Sequence, residues 1–442
     1  MATRSPESRS FFDTFGSSDR VSHQRWVVCG LLFLATVIAY IDRGVIGYLE
    51  KFLEGIIPHL NSVTYSYITA TWTFAYAIGM VVAGGLTDKL GTRKSFAIAI
   101  GLWSVAAMLP GAAFSVISLG IAMFFIGLGE AANFPACIKA VAEWFPKRER
   151  ALATGIFNSG ANIGNIVVPL VVPALVVFVG WRGAFVVTGA SGLVWLAAWL
   201  MYYRRPEQHR SVSRAELELI LSDPVEKLER VRWSRVLPRK ETWAFAIGKF
   251  LTDPIWWFYL FWLPRYLQST FGLSLTSNRL PVVMVYSVST VGSIGGGWIS
   301  SALLRAGKST NVARKTAMLI CALCVLPVFA APYIHQLWVV VGLVGLAAAA
   351  HQGWSANLFT LPSDMFPKAA VGSVIGIGGM SGAIGGVLLQ LTTGYVVKLT
   401  NSYVPLFVMA CGAYLLALII IQSITPQLAP ARIDFGQGEI SA

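Results

Sequence analysis

The chain reads as an all-α membrane protein: twelve transmembrane helices in two pseudo-symmetric six-helix bundles, with both termini in the cytoplasm. Three observations predict that class. Of 442 residues, 55% are hydrophobic and only 12% charged, with a mean hydropathy of +0.65, whereas a soluble chain holds about 25% charged residues. Apolar stretches of the length needed to cross the bilayer, about 20 residues, recur from end to end. A single long polar insertion divides them six and six, and the sequence on its two sides repeats.

The predicted spans are 26 to 49, 64 to 86, 94 to 113, 116 to 140, 151 to 179, 182 to 203, 241 to 264, 279 to 303, 313 to 331, 335 to 358, 370 to 396 and 403 to 424. The chain then divides into an N-terminal tail (1–25), a first bundle (26–203), a linker (204–240), a second bundle (241–424) and a C-terminal tail (425–442). The linker contains RAELELILSDPVEKLERVRW, whose charges mixed with Leu and Ile predict a short amphipathic helix.

The net charge of +13 and the pI near 9.6 do not point to nucleic acid, because the basic residues are segregated. Both tails and the connections 87 to 93, 146 to 150, 204 to 240, 304 to 312 and 366 to 369 lie on one side and carry most of the Lys and Arg. The other side has mainly Lys51, Arg182, Arg265, Arg279 and Lys398. That asymmetry puts the termini in the cytoplasm. The first apolar run is too long for a cleavable signal peptide and starts after 25 polar residues. Cys29, Cys137, Cys321, Cys324 and Cys411 all lie in or beside spans and read as small buried residues. Cys321 and Cys324 lack the second pair or nearby histidines that zinc needs, and His23, His59, His209, His335 and His351 are scattered, so neither metal nor cofactor is expected.

The repeat is read from EWFPKRERALATGIFNSGANIG (143 to 164) against SDMFPKAAVGSVIGIGGMSGAIG (363 to 385). At an offset of 221, Phe145 meets Phe366, Pro146 meets Pro367, Lys147 meets Lys368, Gly155 meets Gly376 and Gly164 meets Gly385. Repeated halves allow one central site to face either side by rocking, the usual physical basis of secondary transport. Between spans 2 and 3, GGLTDKLGTRK (84 to 94) offers Gly84 for close helix contact, Asp88 for capping or pairing, Gly91 for a turn, and Arg93 and Lys94 to bind carboxylates across the two bundles. In the second-half counterpart Ser301 stands in the place of Asp88, so this cytoplasmic latch is expected to be stronger on one half.

Ionisable groups at membrane depth are expensive unless they pair or line a wet cavity, so they mark function. Asp42 and Arg43 in span 1 and Glu130 in span 4 are such groups. Hydroxyl-bearing ligands need amides and an apolar face, which Asn158 and Asn162, four apart in span 5, His351, Gln352 and Asn357 around span 10, and Trp256 and Trp257 in span 7 supply. Asn158 serves equally as a helix–helix hydrogen bonder, and His351, at the repeat position of Glu130, reads as a polar cavity residue. Lys249 and Asp253, an i, i+4 pair followed by Pro254, form either a structural hinge near the cytoplasmic mouth or a second cation for a ligand, with the structural role favoured.

The G-x-x-x-D-K/R-x-G-x-R-K/R pattern of residues 84 to 94 resembles the signature of the major facilitator superfamily. IAYIDRGVIGYL, LGEAANFPACIKAVAEWFPKRERALATGIFNSG, GKFLTDPIWWFYLFWLPRYL and HQGWSANLFTLPSDMFP are similar to its anion:cation symporter branch, especially the hexuronate transporters. The resemblance implies proton-coupled uptake of galacturonate or glucuronate by a multi-pass protein of the cell inner membrane, taken to be monomeric. Asp42 and Glu130 would be the proton-coupling acids, Arg43 would engage Asp42 or the substrate carboxylate, and Tyr40 and Tyr76 would line the cavity. The branch also includes carriers of aldonates, glucarate and other organic anions, which are the alternative; an anion uniporter or exchanger is another. A frequent span 4 arginine falls on Met123 here, which departs from the branch and puts in doubt any circuit using it. A neighbouring cation favours a charged carboxylate and burial disfavours it. Glu130 is therefore expected to carry the proton, while Asp42 gates the availability of Arg43. An enzyme or receptor is disfavoured, since no large loop bears a catalytic constellation and the halves are equal.

Overall fold

The computed structural model describes residues 22–222 and 233–431, and over them every regular element is a helix. Gly84 and Asp88 are described only as helical backbone, so the latch role expected of them lies outside the described residues. Helix α1 (Gln24–Leu53) leads through a tight turn to α2 (Ser62–Leu90), whose start is fixed by a capping box between Asn61 and Thr64. Gly91, with φ 76°, turns the chain into α3 (Thr92–Met108). The same capping device, Ser115 with Ser118, starts α4 (Val116–Glu130).

The fourth predicted span, 116 to 140, is interrupted directly after Glu130, and α5 (Asn133–Trp144) begins two residues later. Pro135 has no N–H to donate to Ala131, so the helical ladder is cut there. Helix α6 (Lys147–Tyr202) holds two arms joined at Gly180, whose φ of 72° and ψ of 170° suit a residue without a Cβ. Its first arm rises along α1, Gly160 lying on Phe33 and Thr36, Gly164 on Tyr40, and Val168 on Gly44. The second arm descends it, Gly192 near Ile38 and the Trp195 indole donating to Leu31 O at 2.9 Å. The chain therefore reverses at Gly180, and spans 5 and 6 are one hairpin.

Between the halves lie α7 (Arg214–Ile220) and α8 (Trp233–Val236). Helix α7 buries Leu217 and Ile220 and clamps Glu216 onto Arg25 at 3.0 Å. The second half comprises α9 (Lys240–Phe271), α10 (Arg279–Arg305), α11 (Thr310–Val325), α12 (Leu337–Leu358), α13 (Leu361–Met365), α14 (Lys368–Thr400) and α15 (Val404–Ile424). Nine helical segments among the described residues are long and apolar enough to cross a membrane. One of these is the α6 hairpin, and α2 with 29 residues and α9 with 32 have the length as well. Ile117, Val177, Phe178, Val291 and Ile294 stand exposed on the outside, as a lipid-facing surface requires.

The repeat is visible in geometry. Pro146 precedes α6 with φ −63°, ψ 151°, and Pro367 precedes α14 with φ −62°, ψ 149°. Gly164 lets α6 close onto α1, where a Cβ would sit 2.6 Å from that of Tyr40; Gly385 lets α14 close onto α9 at Phe250 and Pro254. Arg314 and Asp364, which lie 221 beyond Arg93 and Glu143, pair at 3.0 Å. In the first half Arg93 instead donates to Leu200 O, while Glu143 accepts from Thr92 at 2.7 Å and Tyr203 at 2.6 Å. Arg93 is thus engaged within its own half, and Lys94 is exposed, which differs from the expected bridging of the two bundles.

The halves meet at the end opposite the termini. Arg265 on α9 pairs with Glu50 and, at 3.1 Å, with Glu54 after α1. Tyr48 donates to Leu275 O at 2.8 Å, Tyr65 to Phe261 O at 2.9 Å, and Thr69 to Gln390 at 3.1 Å. These bonds join the two halves at that end.

Candidate functional site

Asp42 and Arg43 are neighbours in sequence but not on the helix, since successive side chains of an α-helix point about 100° apart. Arg43 turns toward α2, α4 and α9 and Asp42 toward α3 and the second arm of α6. The Arg43 guanidinium donates through Nε to Glu130 Oε2 at 3.0 Å and holds Nη2 3.0 Å from the same oxygen, with both side chains buried. It lies over four rings, at 4.5 Å from the centroid of Tyr40, 4.4 Å from Trp72, 5.3 Å from Tyr76 and 5.5 Å from Trp257. Each such contact contributes about 0.5–2 kcal/mol, the upper end applying in a desolvated site. Trp257 comes from the second half, so this cage is built where the two halves join. The rings also hold one another: Trp72 stacks on Tyr76 at 5.0 Å and meets Trp257 at 5.2 Å.

The partner of Arg43 in this structure is therefore Glu130, and not Asp42 as its place in the sequence suggested. Glu130 keeps Oε1 buried without a hydrogen-bond partner among the described residues, and so do both oxygens of Asp42. Trp103 and Thr188 are the polar neighbours of Asp42, but neither closes a hydrogen bond to it. Met123, two turns before Glu130, is fully buried in the apolar core beside the cage. The arginine partner that Glu130 lacks on its own helix is supplied by α1.

Tyr40, Tyr76 and Trp257 are half-buried. At the level of Tyr40, Gln352 on α12 donates to Asn162 on α6 at 3.4 Å, a bond between the halves. Asn158 is exposed one turn earlier. Asn357 and His351 go elsewhere. The Asn357 amide donates to Gly296 O and Gly353 O, both at 2.9 Å, fastening α12 to α10. His351 stacks on Trp256 at 5.3 Å and bonds Tyr414 at 2.7 Å inside the second half. Lys249 and Asp253 pair at 2.6 Å on the α9 face that carries Trp257.

Sequence reasoning did not single out Trp72, Arg265 with Glu50, or Asn165. Asn165 is buried with its whole amide unpartnered among the described residues, beside Gly44, Tyr48 and Tyr286. Its signal was present, because 158, 162 and 165 follow the i, i+4, i+7 spacing of one helix face. Trp72 carried none, being one apolar residue among many in α2.

A buried arginine shared between an acid and an aromatic cage, set between two repeated helical halves, defines a membrane carrier. The chain belongs to the Major Facilitator Superfamily, whose pattern matches residues 32–390. It is a transporter and not an enzyme. It is similar to the hexuronate transporter of Escherichia coli (strain K12), with 29% identity over 416 residues, 92% of this chain and 95% of that protein. The galacturonate transporter of Dickeya chrysanthemi is 32% identical over 285 residues, 63% of this chain and 82% of that protein. The crystal structure of a D-xylose-proton symporter shares the fold, with a TM-score of 0.70 at 15% identity over 91% of this chain and 98% of that one.

Proposed function

We propose that this transporter takes up a hexuronate, such as galacturonate or glucuronate, together with protons across the cell inner membrane. The observation that carries the reading is the Arg43–Glu130 pair inside its aromatic cage. The transport of hexuronates and galacturonate by the relatives named above supports it.

Arg43 has one planar fork, and Glu130 and a substrate carboxylate are equivalent partners for it. When the substrate takes the fork, Glu130 is left as a buried anion without a cation, which costs several kcal/mol. Taking up a proton removes that penalty, so substrate and proton are bound together. Facing the side with fewer protons, Glu130 gives up its proton, reclaims Arg43 and displaces the substrate. Asp42, whose oxygens have no hydrogen-bond partner among the described residues, is the second coupling acid in this reading, acting from the Trp103 and Thr188 side. Tyr40, Tyr76, Asn162 and Gln352 serve the sugar hydroxyls, and Trp257 offers its face to the ring.

The test is uptake of labelled galacturonate and glucuronate into proteoliposomes under an imposed proton gradient, with aldonates and glucarate as competitors. Wild type should accumulate hexuronate uphill. Glu130→Gln should retain exchange of internal for external substrate and lose accumulation. Unchanged uphill uptake by Glu130→Gln would remove the proton-coupling role.

A further inference from the structure

We propose that Lys249 is a second anion-binding group of the central passage, which receives the carboxylate of a sugar acid by exchanging it for Asp253. This rests on the sugar-acid reading above and adds a subsite to it.

Lys249, Asp253 and Trp257 recur every four residues on α9 and share one face of it. That face carries the Trp257 ring to Arg43. The rise of a helix places Asp253 about 6 Å along the axis from Trp257, and the Lys249 backbone about 12 Å. The lysine stem reaches back, so that its ammonium lies 2.6 Å from Asp253 Oδ2. The second cation thus sits about one turn from the aromatic cage, toward the end that carries the termini.

What the pair does not do is equally informative. Arg25 joins α1 to α6 and α7, Arg265 joins α1 to α9, and Arg314 joins α11 to α13. Each of those buried or half-buried pairs ties separate elements together. Lys249 and Asp253 belong to one helix, and their bond fastens nothing to anything else. A buried pair of this kind contributes uncertain stability. Lys249 is only 5% exposed, and its ammonium, which carries three donors, lies 2.6 Å from Asp253 Oδ2 and 4.0 Å from the centroid of the Phe359 ring. Asp253, more open at 19% of its side chain, lies against Gly382 of α14, where no side chain intervenes. The arrangement is that of a cation held in readiness by a partner that can be replaced. A carboxylate leaving Arg43 meets it within one turn, instead of crossing an apolar stretch without a counter-charge.

The experiment compares full-length wild type, Lys249→Gln and the double variant Lys249→Gln/Asp253→Asn in proteoliposomes. It measures KM and maximal rate for galacturonate exchange without a proton gradient, together with the melting temperature. If Lys249 binds the anion, both variants should show a KM raised by about tenfold, roughly 1.4 kcal/mol of lost binding, whatever their melting temperatures. If the pair only neutralises itself, the single variant suffers from the unpaired Asp253 and the double variant returns to the wild-type KM, because removing both partners is close to neutral. That return would overturn the proposal, as would a wild-type KM in both. Should the single variant fail to fold, the double variant alone decides between these outcomes. A wild type that exchanges no sugar acid overturns this proposal together with the function it rests on, whereas a failure confined to the variants' KM leaves that function standing.

Discussion

Arg43 and Asp42 show how far a single residue's role depends on direction. Their adjacency suggested a pair, but one step along a helix turns the second side chain to another face, and the partner of Arg43 stands 87 residues away on α4. The depth of the charges was legible in the chain, because apolar runs flank them. Which charge meets which was not. The same applies to His351, expected to face the cavity and found stacked on Trp256. Replacing Arg43 by Gln should lower stability by about 3–5 kcal/mol, since it strands Glu130 as a buried anion. The Arg43→Gln/Glu130→Gln protein should recover most of that in a thermal melt. Equal melting temperatures for the single and double variants would mean that the buried charge is already relieved by water or a proton.

At the scale of elements, the contact of α1 with α9 joins the two halves at the end opposite the termini. Glu50 is fully buried and bound by Arg265, with Glu54 alongside. Opening at that end must part these charges. Arg265→Gln should therefore weaken closure by about 3–5 kcal/mol, and distances between spin labels in the 54–61 and 272–278 loops should lengthen relative to wild type. An unaltered distance distribution would show that the tyrosine bonds suffice to hold the gate. Close approach between α6 and α1 is the second element-level constraint. A valine at Gly164 would bring its Cβ to 2.6 Å from that of Tyr40, and overpacking of this kind costs about 1–3 kcal/mol. Gly164→Val should reduce both thermal stability and substrate affinity, because the helices that separate carry Tyr40 and Asn162; loss of stability with unchanged affinity would place the glycine outside the site's support.

Across the whole molecule, the segregation of basic residues predicts the orientation. A reporter that is active only in the cytoplasm should work when fused to the C-terminus and fail when inserted in the 272–278 loop. The opposite pattern would overturn the orientation read from the basic residues. Collapse of the proton gradient by a protonophore should abolish accumulation while leaving exchange intact. The fold was readable at this scale because it follows from quantities summed over many residues: apolar run length and the recurrence at an offset of 221.

By itself, then, the sequence determined that the chain crosses a membrane many times, that its two halves are related, and that three charges lie where lipid would otherwise be. The bilayer imposes length and polarity on every span, so these properties survive without coordinates. Only the tertiary structure decided that Arg43 answers to Glu130 inside four rings, that Asp42 faces the other way, and that Arg265 joins the halves at the far end through Glu50. Those are matters of helix rotation and of contacts between residues remote in the chain, and no local pattern encodes the angle at which one helix presents its face to another.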